Sequence, residues 1–277
     1  MRIFHYTSLE SLALILKSRK LRFTRLDKVD DVREAQRHIG VQFGQYFFVS
    51  CWTREPFESI PQWNMYSREM QGVRIEFPEY PFQMVPMKPT RDVGIEFRGD
   101  ALGPLSFDAM LGPQHFVLPL FAQGSHFAGD VQYVEDVEAV YRSSITTTPS
   151  THGRFNVQIA SLPALARYKS SDWQFQKEYR FVLTVVPIPK INSYGVTTRN
   201  LGEALDKFPE AMFSSADPGI DFIDVPLAEE TLKDLTIRTG PLCPMGSQVC
   251  VEALVSTYAP SAKIEKSQLW GAIRGKR

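Results

Sequence analysis

Apolar residues near the start of the chain recur with two different periods, which predict a strand, a helix and a second strand. The stretch "RIFHYT" is a short apolar run typical of a strand. The next apolar positions follow the i, i+3, i+4, i+7 spacing of one helix face: Leu9, Leu12, Ala13 and Leu16. Thr7 and Glu10 have capping-box spacing and predict that the helix begins at Thr7. "LRFTRL" then predicts a strand or extended turn.

The same patterns predict a mixture of strands and helices in the rest of the chain. Buried strands are predicted at "QYFFVSCW", at "GVRIEF" and in the apolar run after Glu178, with a helical turn at "QWNMYS". "DDVREAQRHI" predicts a short polar helix, "DVQYVEDVEAVYR" a strand leading into a helix, and "SSITTTPSTHG" a polar loop. "RFNVQIASLPALARYKS" predicts a helix interrupted by Pro163. Strands at "GIDFIDVPL" and "KDLTIRTGP", a helix at "GSQVCVEALVSTYA" and an edge strand at "AKIEKSQLW" follow.

The stretch from about Glu79 to Gly129 is the least regular part of the chain. Prolines and glycines are frequent there, and the apolar runs are short. We expect either an insertion or an extension of the sheet in this region. Because no repeat, linker or low-complexity tract divides the chain, the prediction is one α+β domain over residues 1–277.

Composition and charge narrow the classes of function without selecting one. The 277 residues are 43% hydrophobic, and 31 Lys and Arg balance 31 Asp and Glu. A net charge of zero gives no global attraction to nucleic acid or membrane, so a nucleic-acid substrate would need a local basic surface. Three cysteines form no CxxC pair and no apolar run approaches a membrane span, which predicts a cytoplasmic protein. The five histidines lack metal-ligand spacing, so no metal is expected.

Polar side chains stand at the ends of three predicted strands. These groups are His5-Tyr6-Thr7, Ser50-Cys51-Trp52-Thr53 and Gln176-Lys177-Glu178. Because side chains two residues apart share a strand face, Gln176, Glu178 and Arg180 are predicted to point to one side. Polar groups at strand ends commonly line a cleft, since the sheet holds them while the adjoining loops open to solvent. We therefore expect His5, Ser50 and Glu178 to meet in one cleft. If Glu178 lay on the opposite face from His5, the hypothesis that these residues form one active site would fail.

Three stretches of the chain resemble a widespread bacterial family of unknown function. They are "FHYTSLESLALILKSRKLRF", then "FFVSCWTRE" with "WNMYS" and "GVRIEF", and finally "YKSSDWQFQKEYRF". Members of that family share an N-terminal His-Tyr-Thr, a middle Ser-Cys/Phe-Ser-like strand and a late Trp-x-x-[Glu/Gln]-x-Glu-Tyr-Arg. "LKDLTIRTGP" resembles their closing strand. The resemblance covers both ends of the chain well and residues 79–129 poorly.

The layout also resembles that of ADP-ribosyltransferases, which carry a His or Arg on the first strand, a Ser or Tyr on a second and a Glu on a later strand. His5, Ser50 and Glu178 match those positions, and Gln176 stands where the pattern has [Glu/Gln]-x-Glu. The resemblance implies an α+β fold with a split mixed or antiparallel sheet and flanking helices. It also implies NAD as the substrate and His5, Ser50 and Glu178 as catalytic residues.

The residue types suit that chemistry. Breaking the nicotinamide–ribose bond passes through an oxocarbenium-like state, which an ionised Glu178 would stabilise. His5 would bond a ribose hydroxyl or the carboxamide of NAD, and Ser50 would contact NAD and donate a hydrogen bond to Glu178. One of the two arginines after the first helix, Arg22 or Arg25, would contact the pyrophosphate. The further residues expected to contact NAD are Tyr6, Thr7, Arg22, Arg25, Thr53, Tyr179 and Arg180.

Gln176 is the predicted acceptor-binding residue. The resemblance implies that a Glu at this position goes with arginine acceptors and a Gln with side-chain amides or nucleobases, and the bacterial family usually has Glu there. We therefore favour a nucleic acid, RNA, as the acceptor of ADP-ribose, with a protein as the close rival. Families of this kind act as toxins or phage-defence effectors, which implies a partner such as an antitoxin or inhibitor protein.

Each of these residues also has a structural interpretation. Glu178 would be a surface ion-pair partner of Arg180 or Lys177, His5 a residue of a strand–helix junction, and Thr7 a helix cap. On that interpretation the chain is a nucleotide- or partner-binding module without catalysis. A nuclease-like hydrolytic effector is a third alternative, and the missing metal or His-pair constellation argues against it.

Overall fold

The apolar runs of the sequence build one large mixed sheet with helices packed around it, in a computed structural model that describes residues 1–34, 37–88, 101–122, 124–149, 155–188 and 201–275. The strands of the described residues are, in chain order, β1 (Arg2–Thr7), β2 (Lys20–Arg25), β3 (Arg37–His38), β4 (Val41–Gln42), β5 (Phe47–Thr53), β6 (Val73–Pro78), β7 (Val85–Pro86), β8 (Leu102–Gly103), β9 (His115–Leu118), β10 (Ala128–Asp130), β11 (Gln132–Val134), β12 (Ile145–Pro149), β13 (Phe155–Ile159), β14 (Tyr168–Ser170), β15 (Glu178–Pro187), β16 (Phe222–Pro226), β17 (Thr236–Thr239) and β18 (Lys263–Lys266).

Most helices of the described residues are short, and several are single turns. They are α1 (Leu9–Ser18), α2 (Ile60–Tyr66), α3 (Phe107–Met110), α4 (Gly124–Phe127), α5 (Val137–Ser144), α6 (Leu201–Asp206), α7 (Phe208–Phe213), α8 (Glu229–Lys233) and α9 (Met245–Tyr258). Short 3-10 helices cover Leu26–Lys28, Phe43–Tyr46, Pro119–Ala122, Pro163–Arg167 and Ser171–Gln176.

Within the part of the chain that the structure describes, the large sheet has ten strands, seven of them along the path β10-β15-β5-β1-β6-β17-β18. Its pairs are antiparallel except that β18 runs parallel to β17. The three strands that carry the candidate residues are therefore neighbours, in the order β15, β5, β1. The α+β class predicted from the sequence is present, with a mixed sheet.

The sheet divides along one edge of β5. At the end of β5, Thr53 pairs with Phe4 of β1, whereas near its start Val49 and Phe48 pair with Thr24 and Arg25 of β2. Between these contacts, residues 50–52 have no strand partner on that side among the described residues. β1 and β2 thus diverge from β5 like the arms of a fork, and α1 connects the two arms.

Local sequence explains how α1 begins and ends. Ser8, not Thr7, is the N-cap, since its hydroxyl accepts a hydrogen bond from the main-chain N–H of Ser11 at 3.2 Å. The predicted cap at Thr7 is therefore wrong by one residue, and Thr7 is the last residue of β1. Arg19 ends the helix in the left-handed conformation with φ 55° and turns the chain into β2.

Opposite faces of the forked region are covered by different elements. Ile3 and Ile75 belong to the core cluster that contains Leu12 of α1 and Val251 of α9. On the other face, Tyr6 packs edge to face on Trp63 of α2, with ring centroids 4.9 Å apart. The fork is thus covered on one side by α1 and on the other by α2.

Two predicted helices are absent. "DDVREAQRHI" contains turns and the start of the β3–β4 hairpin, with residues 35–36 outside the described part. "RFNVQIASLPALARYKS" contains β13, the 3-10 helix Pro163–Arg167 and β14, and the predicted loop before it contains β12. β12 and β13 pair in register from Ile145 opposite Ile159 to Pro149 opposite Phe155.

The weakly patterned stretch 79–129 contributes strands to the large sheet. β9 and β10 both pair with β15, while β7 and β8 form a separate two-stranded sheet. Residues 89–100 and 123 of this stretch lie outside the described part. Within the described ranges, no helix has the length and apolar character needed to cross a membrane.

Candidate functional site

A cavity of about 590 Å³ lies in the fork between β1, β5 and β2. All the site residues predicted from the sequence line it except Arg25, Thr53 and Tyr179. The lining residues come from both arms of the fork, from the start of β15 and from α2. The three strand-end groups therefore contribute to one cavity, as expected.

The sheet faces from which Glu178 and His5 project differ from the expectation. Glu178 pairs with Thr53, and Thr53 pairs with Phe4, so these three side chains share one face of the sheet. His5 follows Phe4 and points to the other face, where its ring contacts Trp52 at 5.0 Å between centroids. His5 and Glu178 therefore project from opposite faces of the sheet, so the expectation of a shared face is wrong. A site built on one face, as the sequence-based hypothesis required, is not present. Both residues line the cavity because it occupies the opening of the fork.

Glu178 lies in a buried cluster of four charges. Its Oε1 accepts hydrogen bonds from the Arg180 guanidinium at 2.8 Å, and its Oε2 accepts one from Lys169 Nζ at 3.3 Å. Glu34 contacts the same two cations, at 2.9 Å from Lys169 and 2.6 Å from Arg180. All four side chains are at most 6% exposed, and their formal charges sum to zero.

This cluster keeps Glu178 ionised. Burial by itself disfavours the charged carboxylate, but Arg180 and then Lys169 outweigh it and hold the pKa of Glu178 below its ordinary value. Lys177, the other partner considered, instead contacts Glu55 at 2.6 Å on the surface. The predicted ion pair with Arg180 is present, but it is buried and lines the cavity.

His5 is held in one tautomer by the free edge of β5. Its Nδ1 lies 2.9 Å from the carbonyl oxygen of Cys51, which only accepts, so Nδ1 carries the proton and donates. Nε2 is then an acceptor in the neutral ring. Burial lowers the pKa of His5, and the hydrogen bond to Cys51 opposes this only in part. The ring is thus neutral near pH 7.

Ser50 does not support Glu178. It lies opposite Phe181, which places it on the face away from Glu178. Its hydroxyl accepts a hydrogen bond from the indole N–H of Trp52 at 2.9 Å. The predicted hydrogen bond from Ser50 to Glu178 is therefore absent, although Ser50 lines the cavity.

Gln176 is not part of the strand. β15 begins at Glu178, and Lys177 between them has the left-handed φ of 44° that ends the preceding 3-10 helix. The strand alternation used to place Gln176 beside Glu178 is therefore wrong, because Lys177 interrupts it. Gln176 still lines the cavity, where its Nε2 donates to the Tyr66 hydroxyl and its main-chain carbonyl accepts from Gln62 Nε2 at 2.8 Å.

The two arginines predicted to hold pyrophosphate differ in position. Arg25 lies outside the cavity, where Asp27 and Asp217 occupy its guanidinium at 2.7 and 2.8 Å, so it is not placed to hold a ligand there. Arg22 lines the cavity and is half exposed, with a two-point contact to Asp224 at 2.9 and 3.0 Å.

Of the other residues expected to contact NAD, some line the cavity and some do not. Thr53 lies outside the cavity and donates to the Lys177 carbonyl at 2.9 Å. Tyr179 points to the far face, under the Arg54 guanidinium. Tyr6 and Thr7 line the cavity, although both are buried and the Tyr6 hydroxyl accepts from the Ser59 main-chain N–H at 2.9 Å. Arg180, fully buried, is committed to Glu178 and Glu34.

Sequence reasoning missed Lys169, Glu34 and Asp30. Lys169 and Glu34 lie in segments predicted as helices, so no alternation placed them near Glu178. Glu34 reaches the cluster from 146 positions before Arg180, whereas Lys169 stands only nine positions before Glu178. Asp30 accepts a hydrogen bond from the hydroxyl of Tyr66.

Among the residues described, no three His, Cys, Asp or Glu side chains are arranged to hold a metal ion. The site is thus a forked cavity with one buried carboxylate, one neutral imidazole and one fixed amide. Comparison of the chain with models of protein families, with characterised proteins and with solved structures finds no match.

Proposed function

We propose that this protein is an NAD-dependent ADP-ribosyltransferase with the split-sheet fold of that class, and that it transfers ADP-ribose to a macromolecule. The observation that carries the proposal is that His5 and Glu178 line one cavity in the fork of the sheet, each held in a single hydrogen-bonded state. The adjacency of β15, β5 and β1, which carry the Glu, Ser and His, adds support.

The size and shape of the cavity suit a dinucleotide. Ligand cavities in proteins commonly hold roughly 300 to 1,000 Å³, and this one holds about 590 Å³. His5 and Glu178 project from opposite faces around the opening, so a ribose in the fork would meet the imidazole from one side and the carboxylate from the other. Arg22, at the half-exposed rim, is the arginine available for the pyrophosphate if it exchanges Asp224 for phosphate.

The chemistry follows from the charge of Glu178. As the bond to nicotinamide breaks, positive charge builds on the ribose ring, and a fixed carboxylate stabilises it without reorganising. Arg180 and Lys169 keep that carboxylate ionised in a buried place. Glu34 offsets part of their charge, so Glu178 is not simply neutralised by two cations.

His5 would position the ribose. With its Nδ1 proton donated to Cys51, Nε2 accepts a hydrogen bond from a ribose hydroxyl. That bond strengthens as the ring becomes positive, because the hydroxyl becomes a better donor. The neutral state of His5 near pH 7 is the state that this role needs.

RNA is the favoured acceptor. Gln176 lines the cavity with a neutral amide, which suits a nucleobase rather than a guanidinium. Exposed cations follow one another at the end of α1 and the start of β2, beside the cavity: Lys17, Arg19, Lys20 and Arg22. A phosphate backbone that reached Gln176 would pass this edge. By the resemblance, we further infer a toxin or phage-defence effector that an antitoxin or inhibitor protein restrains.

One observation is also compatible with a rival function. Glu178 forms two buried ion pairs, and such clusters can have purely structural roles. The chain would then be a module that binds a nucleotide without cleaving it. A protein acceptor is the other rival within the transferase hypothesis. Both rivals predict different outcomes in the assay that follows.

The test uses NAD labelled in its adenylate phosphate, incubated with the protein and with total RNA or cell extract. We expect nicotinamide release and label on RNA, both lost in Glu178→Gln. The matched control is Glu58→Gln, which removes a carboxylate that is 2% exposed and bonded to Arg238 and Trp63 but does not line the cavity. Label on protein alone would favour the protein acceptor. NAD binding without nicotinamide release in the wild type would overturn the transferase proposal.

A further inference from the structure

Gln176 has a buried acceptor without a donor. Its side chain is 5% exposed and lines the cavity, and its Oε1 has no hydrogen-bond partner among the described residues. Leaving a buried carbonyl oxygen unpaired is unfavourable, so such atoms usually have a partner such as a ligand or water. The amide nitrogen, in contrast, is occupied, because it donates to the Tyr66 hydroxyl.

The direction of this hydrogen bond is set by Asp30. The Tyr66 hydroxyl lies 2.7 Å from Asp30 Oδ2, and an ionised carboxylate can only accept. Tyr66 therefore spends its single proton on Asp30, and its oxygen can only accept from Gln176. The amide group of Gln176 must then place its NH₂ toward Tyr66 and its Oε1 away from it.

Further contacts restrain the hydrogen-bonded series of Asp30, Tyr66 and Gln176. Lys169 Nζ forms an ion pair with Asp30 at 3.9 Å. The main-chain carbonyl of Gln176 accepts from Gln62 at 2.8 Å, and the left-handed Lys177 fixes the backbone after it. The hydrogen bond to Tyr66 therefore holds the amide group of Gln176, and the main-chain contacts hold the backbone that carries it.

We infer that Asp30 and Tyr66 are positioning residues that fix Gln176 as a hydrogen-bond acceptor, so that the site selects an acceptor group with an N–H donor, the exocyclic amine of a nucleobase in RNA. This inference rests on the proposed function and specifies its substrate. A ring edge without an amine would leave Oε1 unpaired. One N–H of an amine would be held by Oε1, and the nitrogen would face the ribose.

The amine nitrogen forms a bond to the anomeric carbon of the ribose while the bond from that carbon to nicotinamide breaks. The electron pair of the broken bond stays with nicotinamide, which leaves as a neutral molecule. The nitrogen then loses one proton to water, and no oxidant or reductant is needed.

The test compares short oligo(A) with an oligomer of purine riboside, which lacks only the exocyclic amine. Binding is measured by fluorescence anisotropy in the presence of NAD, and transfer by label from NAD. We expect the wild type to bind oligo(A) about tenfold more tightly, as one buried hydrogen bond implies, and to label only oligo(A). In Tyr66→Phe and Asp30→Asn, the amide can turn over, so the binding ratio should fall toward unity.

The matched control is Tyr80→Phe, which removes a hydroxyl from a partly exposed tyrosine outside the cavity and should leave the binding ratio unchanged. Equal wild-type binding of both oligomers would overturn the inference, as would an undiminished ratio in both Tyr66→Phe and Asp30→Asn. Label on protein only would overturn the assignment to a nucleobase. Absence of nicotinamide release would count against the proposed function instead, because the binding ratio is measured independently of cleavage.

Discussion

Glu178 and Glu34 contact the same two cations, but only Glu178 lines the cavity. Within this cluster, the proposed catalytic role of Glu178 can be separated from the structural role of Glu34. Removing either carboxylate leaves the buried Arg180 with one carboxylate partner and takes one from Lys169. The energetic consequence should be similar for both, whereas the chemical consequence should not.

We predict that Glu178→Gln and Glu34→Gln each lower the free energy of unfolding by about 3–5 kcal/mol, the usual effect of breaking a buried ion pair. Urea unfolding of each variant measures this change. Nicotinamide release, measured below the unfolding transition, should be abolished only in Glu178→Gln. Equal residual activity in the two variants would mean that Glu178 acts through stability alone.

His5 gives a prediction on pH. Burial lowers the pKa of His5 below its ordinary 6.5, so the folded protein binds this proton less tightly than the unfolded chain. The contribution of His5 to stability is therefore present above pH 6.5 and is lost as the pH falls through its folded pKa. Over the same interval Nε2 becomes protonated and can no longer accept from the ribose, so nicotinamide release should also fall.

His5→Gln identifies the source of this acidic limb. Glutamine can donate to the Cys51 carbonyl and accept with its oxygen, but it does not titrate. We expect the pH–rate profile of His5→Gln to be flat where the wild type falls. His115→Gln is the control, since burial also lowers the pKa of His115, which lies outside the cavity. An unchanged acidic limb in His5→Gln would assign it to another group.

At the scale of elements, the runs with a clear period were predictable and the irregular connections were not. β1, α1, β5 and β15 were predicted because apolar residues mark their buried faces. β12 was missed because its exposed threonines were taken for a loop, although β-branched residues suit strands. "FNVQI" was assigned to a helix because its pairing partner was not recognised, and pairing is not encoded within the segment itself.

Lys177 interrupts the strand periodicity that the sequence predicts across residues 176–178. The sequence predicted Gln176 and Glu178 on one strand face, but a left-handed residue between them ends one element and begins the next. Both side chains still reach the cavity because the turn redirects the chain. No residue in the segment announces this turn, since Lys rarely adopts a positive φ.

The left-handed conformation of Lys177, directly before β15, predicts how substitutions at this position change stability. Lys177→Gly should leave the free energy of unfolding nearly unchanged, because relief of the positive φ offsets the greater freedom of glycine in the unfolded chain. Lys177→Val should cost about 1–3 kcal/mol, since a β-branched residue is strained at φ 44°. Lys177→Ala controls for the loss of the exposed pair with Glu55. Thermal unfolding measures all three, and a Val variant as stable as the Ala variant would contradict the assigned backbone.

At the scale of the whole molecule, the candidate site is assembled from segments that are distant in sequence. The four buried charges come from the segment after β2, from β14 and from β15. The hydrogen bonds from Gln176 to Tyr66 and from Tyr66 to Asp30 add a residue of α2 to the site. Sequence motifs singled out His5, Gln176 and Glu178 because the apolar pattern places them at predicted strand ends. Lys169 and Glu34 were not predictable as buried partners, because they lie in segments predicted as helices and charged residues are ordinarily assigned to the surface.

The net charge of zero makes any RNA contact a local property. Lys17, Arg19 and Lys20 are exposed beside the cavity and form no ion pair with a described residue, whereas Arg22 is engaged by Asp224. If these three cations contact phosphates, the logarithm of RNA affinity should fall with the logarithm of salt concentration with a slope of about −2, because each contact to a single strand contributes about −0.7. Lys20→Ala should reduce the slope by about 0.7.

Lys263→Ala tests whether this effect is local. Lys263 is an exposed lysine on β18, the strand at the far end of the sheet path from β15, and it does not line the cavity. Its removal changes the net charge by the same amount as Lys20→Ala, so a purely global effect would alter both variants alike. We expect the slope of Lys263→Ala to equal that of the wild type, with oligo(A) binding measured from low to physiological salt. Equal slopes in all three proteins would mean that RNA does not follow the edge formed by α1 and β2, and the acceptor would then approach the fork from the side of α2.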